Sequence, residues 1–425
     1  MGCQLMSVKM KIFAALLCTV FAPSSALAFD WSLQSTQTQS MELNDNQFLK
    51  SMLAGGTLGS YTTLTANAEA KTPISRFNFD SDVSYKKYWG PGTEGVPLTE
   101  FLSDGFRAHY EIAGKDRSDR NYLEASLRQS STTEAILNDL GVTANVLGTL
   151  NVSTIRGGVD RAITHQDLVS LSAHSSYTNT DPAGPIPTFT DSNVLGTWRH
   201  RLNGNLTLIG SSEAEFLVYN NATNSRVVIL RENLGADATL SRVLSFRGTA
   251  GAATVLAEQT VLPTAPVGTP ASSSATDFIT DMLLTYKMFQ DTTLTLSGSQ
   301  SIAPSVVGSL TKQTGIHAAL LYSINRHSRL SLSAYANRLT SSTTSDFYSG
   351  SVSYFYDLAR DWHFSATYRH LHRTATSSTS SGGSIFNSTG ITPILVAQAP
   401  GTPPADSNSL LLTLSHSLIV LPHGN

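Results

Sequence analysis

Ionisable side chains spaced two apart recur along this chain: Arg107, His109 and Glu111, then Arg199 and Arg201, then Glu213 and Glu215. Glu124 and Arg128 follow the same even spacing, and Arg231 and Arg247 stand singly in similar alternating segments. Residues i and i+2 of a β-strand point to the same side, so each row is a strip of charge on one face. Metal binding, nucleophilic catalysis and the lining of an aqueous passage could each use such strips. For metal binding, His370 and His372 share a face, and His363 and His416 fall on neighbouring segments. A transition metal would suit imidazole. No third acidic or histidine ligand stands at a fixed spacing, so these read as rim histidines, and neither a metal nor another cofactor is expected. For catalysis, a hydrolase needs a nucleophile poised by a base. The chain has no G-x-S-x-G motif and reads as a non-enzyme.

The third use remains. Charges facing water inside a barrel set ion and solute preference, besides pairing across strands. Arginine dominates these strips, and its planar fork can hold carboxylates or sulfates, which leaves an acidic sugar polymer among the cargoes.

The elements that must position these strips are strands. In Tyr348–Leu358, Tyr348, Val352, Tyr354, Tyr356 and Leu358 alternate with Ser349, Ser351 and Ser353. In 205–219, Leu206, Leu208, Ala214, Phe216 and Val218 oppose Thr207, Ser211, Glu213 and Glu215. One unit recurs: an aromatic, a short polar turn, then an alternating strand that begins eight residues on. It runs from Tyr286, Tyr322 and Tyr356, spaced 36 and 34 residues apart, and from Trp198, 88 residues before Tyr286. A fixed period means one supersecondary unit reused, here a β-hairpin with an aromatic at its turn.

Eighteen such strands can be read, from Trp31–Met41 to Asn408–Ile419, with sixteen as the alternative count. Each is near the ~9–11 residues a tilted strand needs to cross a bilayer. Short connections alternate with long ones, and an even count returns the chain to its starting side. Aromatics gather at strand ends: Trp31, Trp198, Tyr286, Tyr322, Tyr356 and Trp362 by the short turns, and Tyr61, Tyr85, Tyr88, Trp89, Tyr177, Tyr219 and Tyr348 at the other side. Two girdles of this kind suit the two faces of a membrane. The expected fold is all-β: a transmembrane antiparallel up-and-down β-barrel.

Composition agrees. Only 14% of residues are charged, against about 25% in soluble domains, and the mean hydropathy is −0.05. Lys9 and Lys11, the apolar run Ile12–Ala22 and Ala26-Leu27-Ala28 form a cleavable signal peptide over 1–28. Both cysteines, Cys3 and Cys18, lie within it, so the remaining chain can form neither a disulfide nor a thiolate metal site. Without that segment the net charge is −5, and no basic stripe suggests nucleic acid. Residues 29–425 form one barrel domain, with loop helices expected at 44–54 and 133–141.

The strand-turn-strand pattern of Tyr322–Ala336, Tyr356–Tyr368 and Asn408–Ser417 resembles the putative β-barrel porin families of Gram-negative outer membranes. It is most similar to barrels found with exopolysaccharide and exosortase systems. The resemblance implies a channel or export barrel with no catalytic residues to carry over. Such barrels usually end on an aromatic read by the barrel-assembly machinery, whereas this chain ends Leu421-Pro422-His423-Gly424-Asn425.

The expected function is a porin-like channel of the bacterial outer membrane for passive transport or export of polar solutes. One alternative is a sleeve in an exopolysaccharide-export or other multi-protein complex, with a periplasmic partner. Another is a secreted β-rich adhesin with no membrane role. The expected partners are outer-membrane lipid, the assembly machinery and a polar solute or polysaccharide.

Overall fold

Period-two alternation gives a sheet two unlike sides, and closing that sheet removes its sticky edges. The computed structural model, which describes residues 30–49, 55–94, 99–114, 119–132, 148–181, 188–220, 225–258, 272–304, 310–340, 343–374, 377–378 and 403–421, is such a closed sheet. The first strands are β1 (Asp30–Asn44), β2 (Thr57–Lys71), β3 (Ser75–Trp89), β4 (Glu100–Ala113), β5 (Arg120–Ser131) and β6 (Thr149–Ala162). Then come β7 (Asp167–Asp181), β8 (Thr188–Arg201), β9 (Leu206–Asn220), β10 (Arg226–Thr239), β11 (Leu244–Glu258) and β12 (Ser272–Phe289). The last are β13 (Thr292–Pro304), β14 (Leu310–Ser323), β15 (Ser328–Thr340), β16 (Thr343–Ala359), β17 (Trp362–Arg373), β18 (Ser377–Ser378) and β19 (Ala405–Leu421).

The two-residue β18 only extends the edge of β16. The other eighteen form a closed antiparallel barrel in chain order, because β1 pairs with β2 on one side and with β19 on the other. Eighteen is therefore the strand count, and sixteen is excluded.

One end is closed by tight turns that carry their own chemistry. The Thr72 hydroxyl accepts from the Ser75 amide at 2.9 Å, and Thr164 accepts from the Asp167 amide at 2.9 Å. Ser241 accepts from the Leu244 amide at 3.1 Å, and the Asn325 amide oxygen accepts from Ser328 at 2.9 Å. A short polar side chain at the head of each turn takes up backbone donors that the ladder leaves free.

Strands outrun their expected bounds. β1 runs from Asp30 to Asn44 and β19 from Ala405 to Leu421, past the expected Trp31–Met41 and Asn408–Ile419. At the opposite end the connections are not uniformly long, since 221–225, 305–309 and 341–342 are brief. Of the expected helix at 44–54, Asn44 ends β1 and 45–49 form bends and turns, while 50–54 lie outside the described residues. The segments 1–28 and 133–141 also lie outside them.

Pairing register sorts every strand into an outward and an inward face. Outward stand Leu332 and Val352, which oppose each other, and Tyr354, Leu410 and Leu412; each is more than a third exposed. A belt of apolar side chains on the outside of a sealed wall needs lipid against it.

The wall is irregular at one place. β12 and β13 pair only from Phe289↔Thr292 to Thr280↔Gln300. Beyond that, β12 continues with β11 to Ser272, and β13 continues with β14 to Pro304. Alternation would turn Ile302 and Leu310 outward. Instead they are 1% and 4% exposed, in one cluster with the inward-facing Val227, Ile229, Val255 and Ile279. The described ends of β13 and β14 at Ile302 and Leu310 have tucked inside, so that their outer faces lie on the inner face of β10–β12.

Candidate functional site: the lumen wall

The candidate site is the inner surface, and register decides who lines it. All eleven expected lining residues, Arg107, His109, Glu111, Glu124, Arg128, Arg199, Arg201, Glu213, Glu215, Arg231 and Arg247, fall on the inward face. The structure divides them into separate groups.

On β3–β6, Arg107 grips Asp80 through Nε at 2.9 Å and Nη2 at 2.7 Å. His109 lies 3.3 Å from Glu124 and 3.6 Å from Glu111, and stacks on Tyr122 with ring centroids 6.0 Å apart. Arg120 binds Asp160 at 2.9 Å and, like Arg156, sits over the Tyr122 ring.

On β8–β10, Arg231 is the hub. Its guanidinium reaches Glu215 at 2.5 Å and Glu213 at 3.3 Å, and donates to the Ile302 carbonyl at the end of β13 at 2.7 Å. Asn193 donates to Glu213 at 2.7 Å, and His174 stands 3.6 Å from Asp191. The Arg231 and Glu215 side chains are only 12% and 7% exposed. Charges so far out of water persist only where each has a partner. Arg247 is paired separately, with Asp237 at 2.5 Å. Arg128, Arg199 and Arg201 make no ion pair with any described residue.

The other half of the inner wall, from β15 through β19 to β2, carries hydroxyls. Ser333 meets Ser351 at 2.7 Å, Thr367 donates to Ser353 at 2.9 Å, and Ser40 meets Thr413 at 2.9 Å. Thr38–Ser415 and Thr36–Ser417 continue the ladder at 3.2 and 3.1 Å.

Towards the end opposite the tight turns, both halves become apolar inside. Phe48 packs edge-on against Tyr88, and Tyr88 against Tyr61 and Phe101. Beside them Glu42 accepts from Tyr61 and lies 3.9 Å from Arg369. Across the barrel, Phe189, Leu217 and Tyr219 join the cluster that holds Ile302 and Leu310.

Three girdle expectations are corrected: Tyr61 and Tyr88, in the inner cluster with Phe48, and Tyr219. Tyr219 was expected in a girdle but faces inward and is 2% exposed, because its register partner Phe189 is inward too. The other girdle residues, Trp31, Trp198, Tyr286, Tyr322, Tyr356, Trp362, Tyr85, Trp89, Tyr177 and Tyr348, are exposed on the outward face. His370 and His372 also point outward, with Nδ1 atoms 2.9 Å from Asn408 and 2.7 Å from Asp406. Among the described residues no group of three or more His, Cys, Asp or Glu could hold a metal ion.

Sequence reasoning missed Asp80, Asp191, Arg120, Asp160, Asp237, Asp277 and Lys312. Asp80 was within reach, since it alternates with Phe77, Phe79 and Val83. The Lys312–Asp277 pair, at 2.5 Å, was not, because it depends on the tuck.

A sealed antiparallel wall, apolar outside and polar within, defines an integral β-barrel of the outer-membrane type. No protein-family model and no curated protein matches the chain. Among solved structures, the FrpB iron transporter of Neisseria meningitidis (F5-1 variant) is similar, with TM-score 0.48 and 7% identity over 92% of this chain and 83% of that one. OccAB2 of Acinetobacter baumannii gives TM-score 0.45 and 7% identity over 92% and 98%. The ferric-catecholate import receptor Fiu of E. coli K12 gives 0.45 and 9% over 90% and 81%. The likeness is one of barrel architecture, and no residue role or cargo is carried over from it.

Proposed function

We propose that this protein is an outer-membrane channel for passive movement of polar solutes, exported by way of a signal peptide cleaved after Ala28. The observation that carries the reading is the polar inner wall of a closed eighteen-strand barrel. Barrels of sixteen to eighteen strands are wide enough to enclose water. The tight turns face the periplasm, as in other barrels of this class. The inner charges act by steering and holding ions and solutes, and no catalytic step is assigned to them.

Planar-bilayer recording of the purified protein tests this: stepwise, ohmic conductance is expected. Absence of conductance would favour the sleeve reading, in which the apolar inner clusters grip another chain. Orientation is tested by single cysteines at Thr93, in a turn at the far end, and at Arg326, in a tight turn. On whole cells an impermeant maleimide should label the first and spare the second. Equal labelling would overturn the orientation.

A further inference from the structure

We infer that a hard cation of the calcium class binds on the inner wall at Asp191, Glu215 and Tyr219, where β8 meets β9. The inference goes beyond the transport reading and does not depend on it. Strand parity builds the place. On β8, Asp191 and Asn193 face inward opposite Leu217 and Glu215 of β9, and Tyr219 follows on the same face opposite Phe189. On the far side of β9, Glu213 stands opposite Arg231. Asp191 lies against Glu215, carboxylate to carboxylate, and the Tyr219 phenol lies close to both acids.

Two observations call for an ion. The first is charge. Asp191, Glu213 and Glu215 share one guanidinium, that of Arg231, which is 2.5 Å from Glu215 and 3.3 Å from Glu213. His174 stands 3.6 Å from Asp191. Even with His174 protonated, three negative charges meet two positive ones. The side chains of Glu215, Asp191 and Glu213 are 7%, 15% and 20% exposed. Water screens little of an excess charge held so deep, so a proton or a cation must neutralise it.

The second observation is a set of unmade hydrogen bonds. Tyr219 is 2% exposed, yet its hydroxyl bonds no described residue, and the buried Asp191 Oδ1 also lacks a partner among them. Buried polar atoms are nearly always satisfied. A proton shared by Asp191 and Glu215 would join the two acids and leave the Tyr219 hydroxyl unbonded. A cation with its water engages all three side chains: the carboxylates ligate the ion, and the hydroxyl donates to the water.

The donors name the class. Carboxylates and water suit calcium, magnesium and manganese rather than softer metals. Calcium accepts an irregular set of oxygens, whereas magnesium demands a near-ideal octahedron. No group of three or more His, Cys, Asp or Glu closes a cage among the described residues. Water therefore completes the shell, and binding falls in the weak range for calcium, with Kd about 10⁻⁴–10⁻³ M.

The full barrel in phosphatidylcholine vesicles, stripped with chelator, tests the site. Calcium should raise its unfolding temperature saturably within that concentration range. Terbium should show emission sensitised by the Tyr219 phenol and displaced by calcium. Asp191→Asn should remove both responses, and in chelator it should unfold no earlier than wild type, because one crowded charge is gone. Tyr219→Phe should cut the terbium emission at least five-fold.

A calcium response that persists in Asp191→Asn puts the ion elsewhere, and a wild type that shows neither response leaves a shared proton as the neutraliser. Either result overturns the inference. Should Asp191→Asn fail to assemble, Tyr219→Phe decides: the five-fold loss supports the site, and emission of wild-type strength overturns it.

Discussion

The two halves of the inner wall are built on one backbone pattern and solve it differently. From β3 to β12 the inward positions carry paired charges, such as Arg107–Asp80 and Arg231–Glu215. From β15 round to β2 the middle of the wall carries hydroxyls that pair with hydroxyls, such as Ser333–Ser351 and Ser40–Thr413, with charges towards the two ends, at His363–Asp357 and Glu42–Arg369. A charge pair fixes register strongly, because a slip leaves a buried charge alone. A hydroxyl pair tolerates error, since either partner can donate and water can replace either one. The difference teaches where the wall is held and where it is merely wetted.

The largest expected effect breaks the charged half. Arg231→Gln leaves Glu213 and Glu215 without their cation in a site where both are largely hidden from water. Removing one partner of a buried pair costs about 3–5 kcal/mol. Denaturant unfolding of the vesicle-inserted barrel should show this loss, or assembly should fail outright. An unfolding midpoint equal to wild type would mean that the charged half does not hold the wall.

Next comes the outside of the hydroxyl half. Leu332 faces outward and Ser331 inward, one residue apart. Leu332→Lys should cost roughly 2–4 kcal/mol at the bilayer midplane, whereas Ser331→Lys meets water. Heat-modifiable gel mobility should show folded barrel for the second and depleted barrel for the first. Tyr354 and Leu412, with their neighbours Ser353 and Thr413, should repeat the contrast. Equal assembly of Leu332→Lys and Ser331→Lys would put the two faces, and the barrel's register, in error.

Much of this was legible in the sequence because alternation is local. Tyr354 and Val352 against Ser351 and Ser353 declare their faces without any knowledge of partners, and the eighteen strands follow from repeating that reading. What stayed hidden is long-range. Tyr219 looks like a girdle residue by its place near a strand end, yet it shares parity with Glu213 and Glu215, and parity prevails. Ile302 and Leu310 look like lipid-facing residues by parity, and there tertiary packing prevails, because the cluster on β10–β12 offers them an equally apolar bed. The partners of Arg107 and Arg231 were illegible for another reason: strand register, not spacing, chooses which acid stands opposite.

Selectivity gives a smaller effect and sharpens the comparison from inside. Arg199 is exposed on the charged half, with Leu168 and Ile209 as its cross-strand neighbours and no described ion pair. Changing its sign disturbs no partner. Two charges 4 Å apart in water interact by about 1 kcal/mol, so Arg199→Glu should move the reversal potential across a salt gradient towards cations. Ser351→Asp places the same charge on the hydroxyl half and should move it in the same direction. A shift from the first and none from the second would mean that solutes travel along the charged half alone.

The smallest effect belongs to the hydroxyl ladder. Ser333 and Ser351 meet at 2.7 Å across β15 and β16, on the inward side and partly buried. Cross-strand hydroxyl pairs are worth roughly 0.2–1 kcal/mol, and here each partner can turn to lumen water when the other is removed. A double-mutant cycle with Ser333→Ala and Ser351→Ala should therefore give a coupling below about 1 kcal/mol, measured by unfolding in vesicles. Each single variant should leave assembly and conductance unchanged. A coupling as large as the loss from Arg231→Gln would erase the distinction between the halves, because it would show water shut out from the hydroxyl wall as well. A coupling near zero would sharpen the distinction: the ladder then serves as a neutral, hydrated surface, and the register of β15 and β16 is held by the backbone and the lipid-facing Leu332–Val352 row.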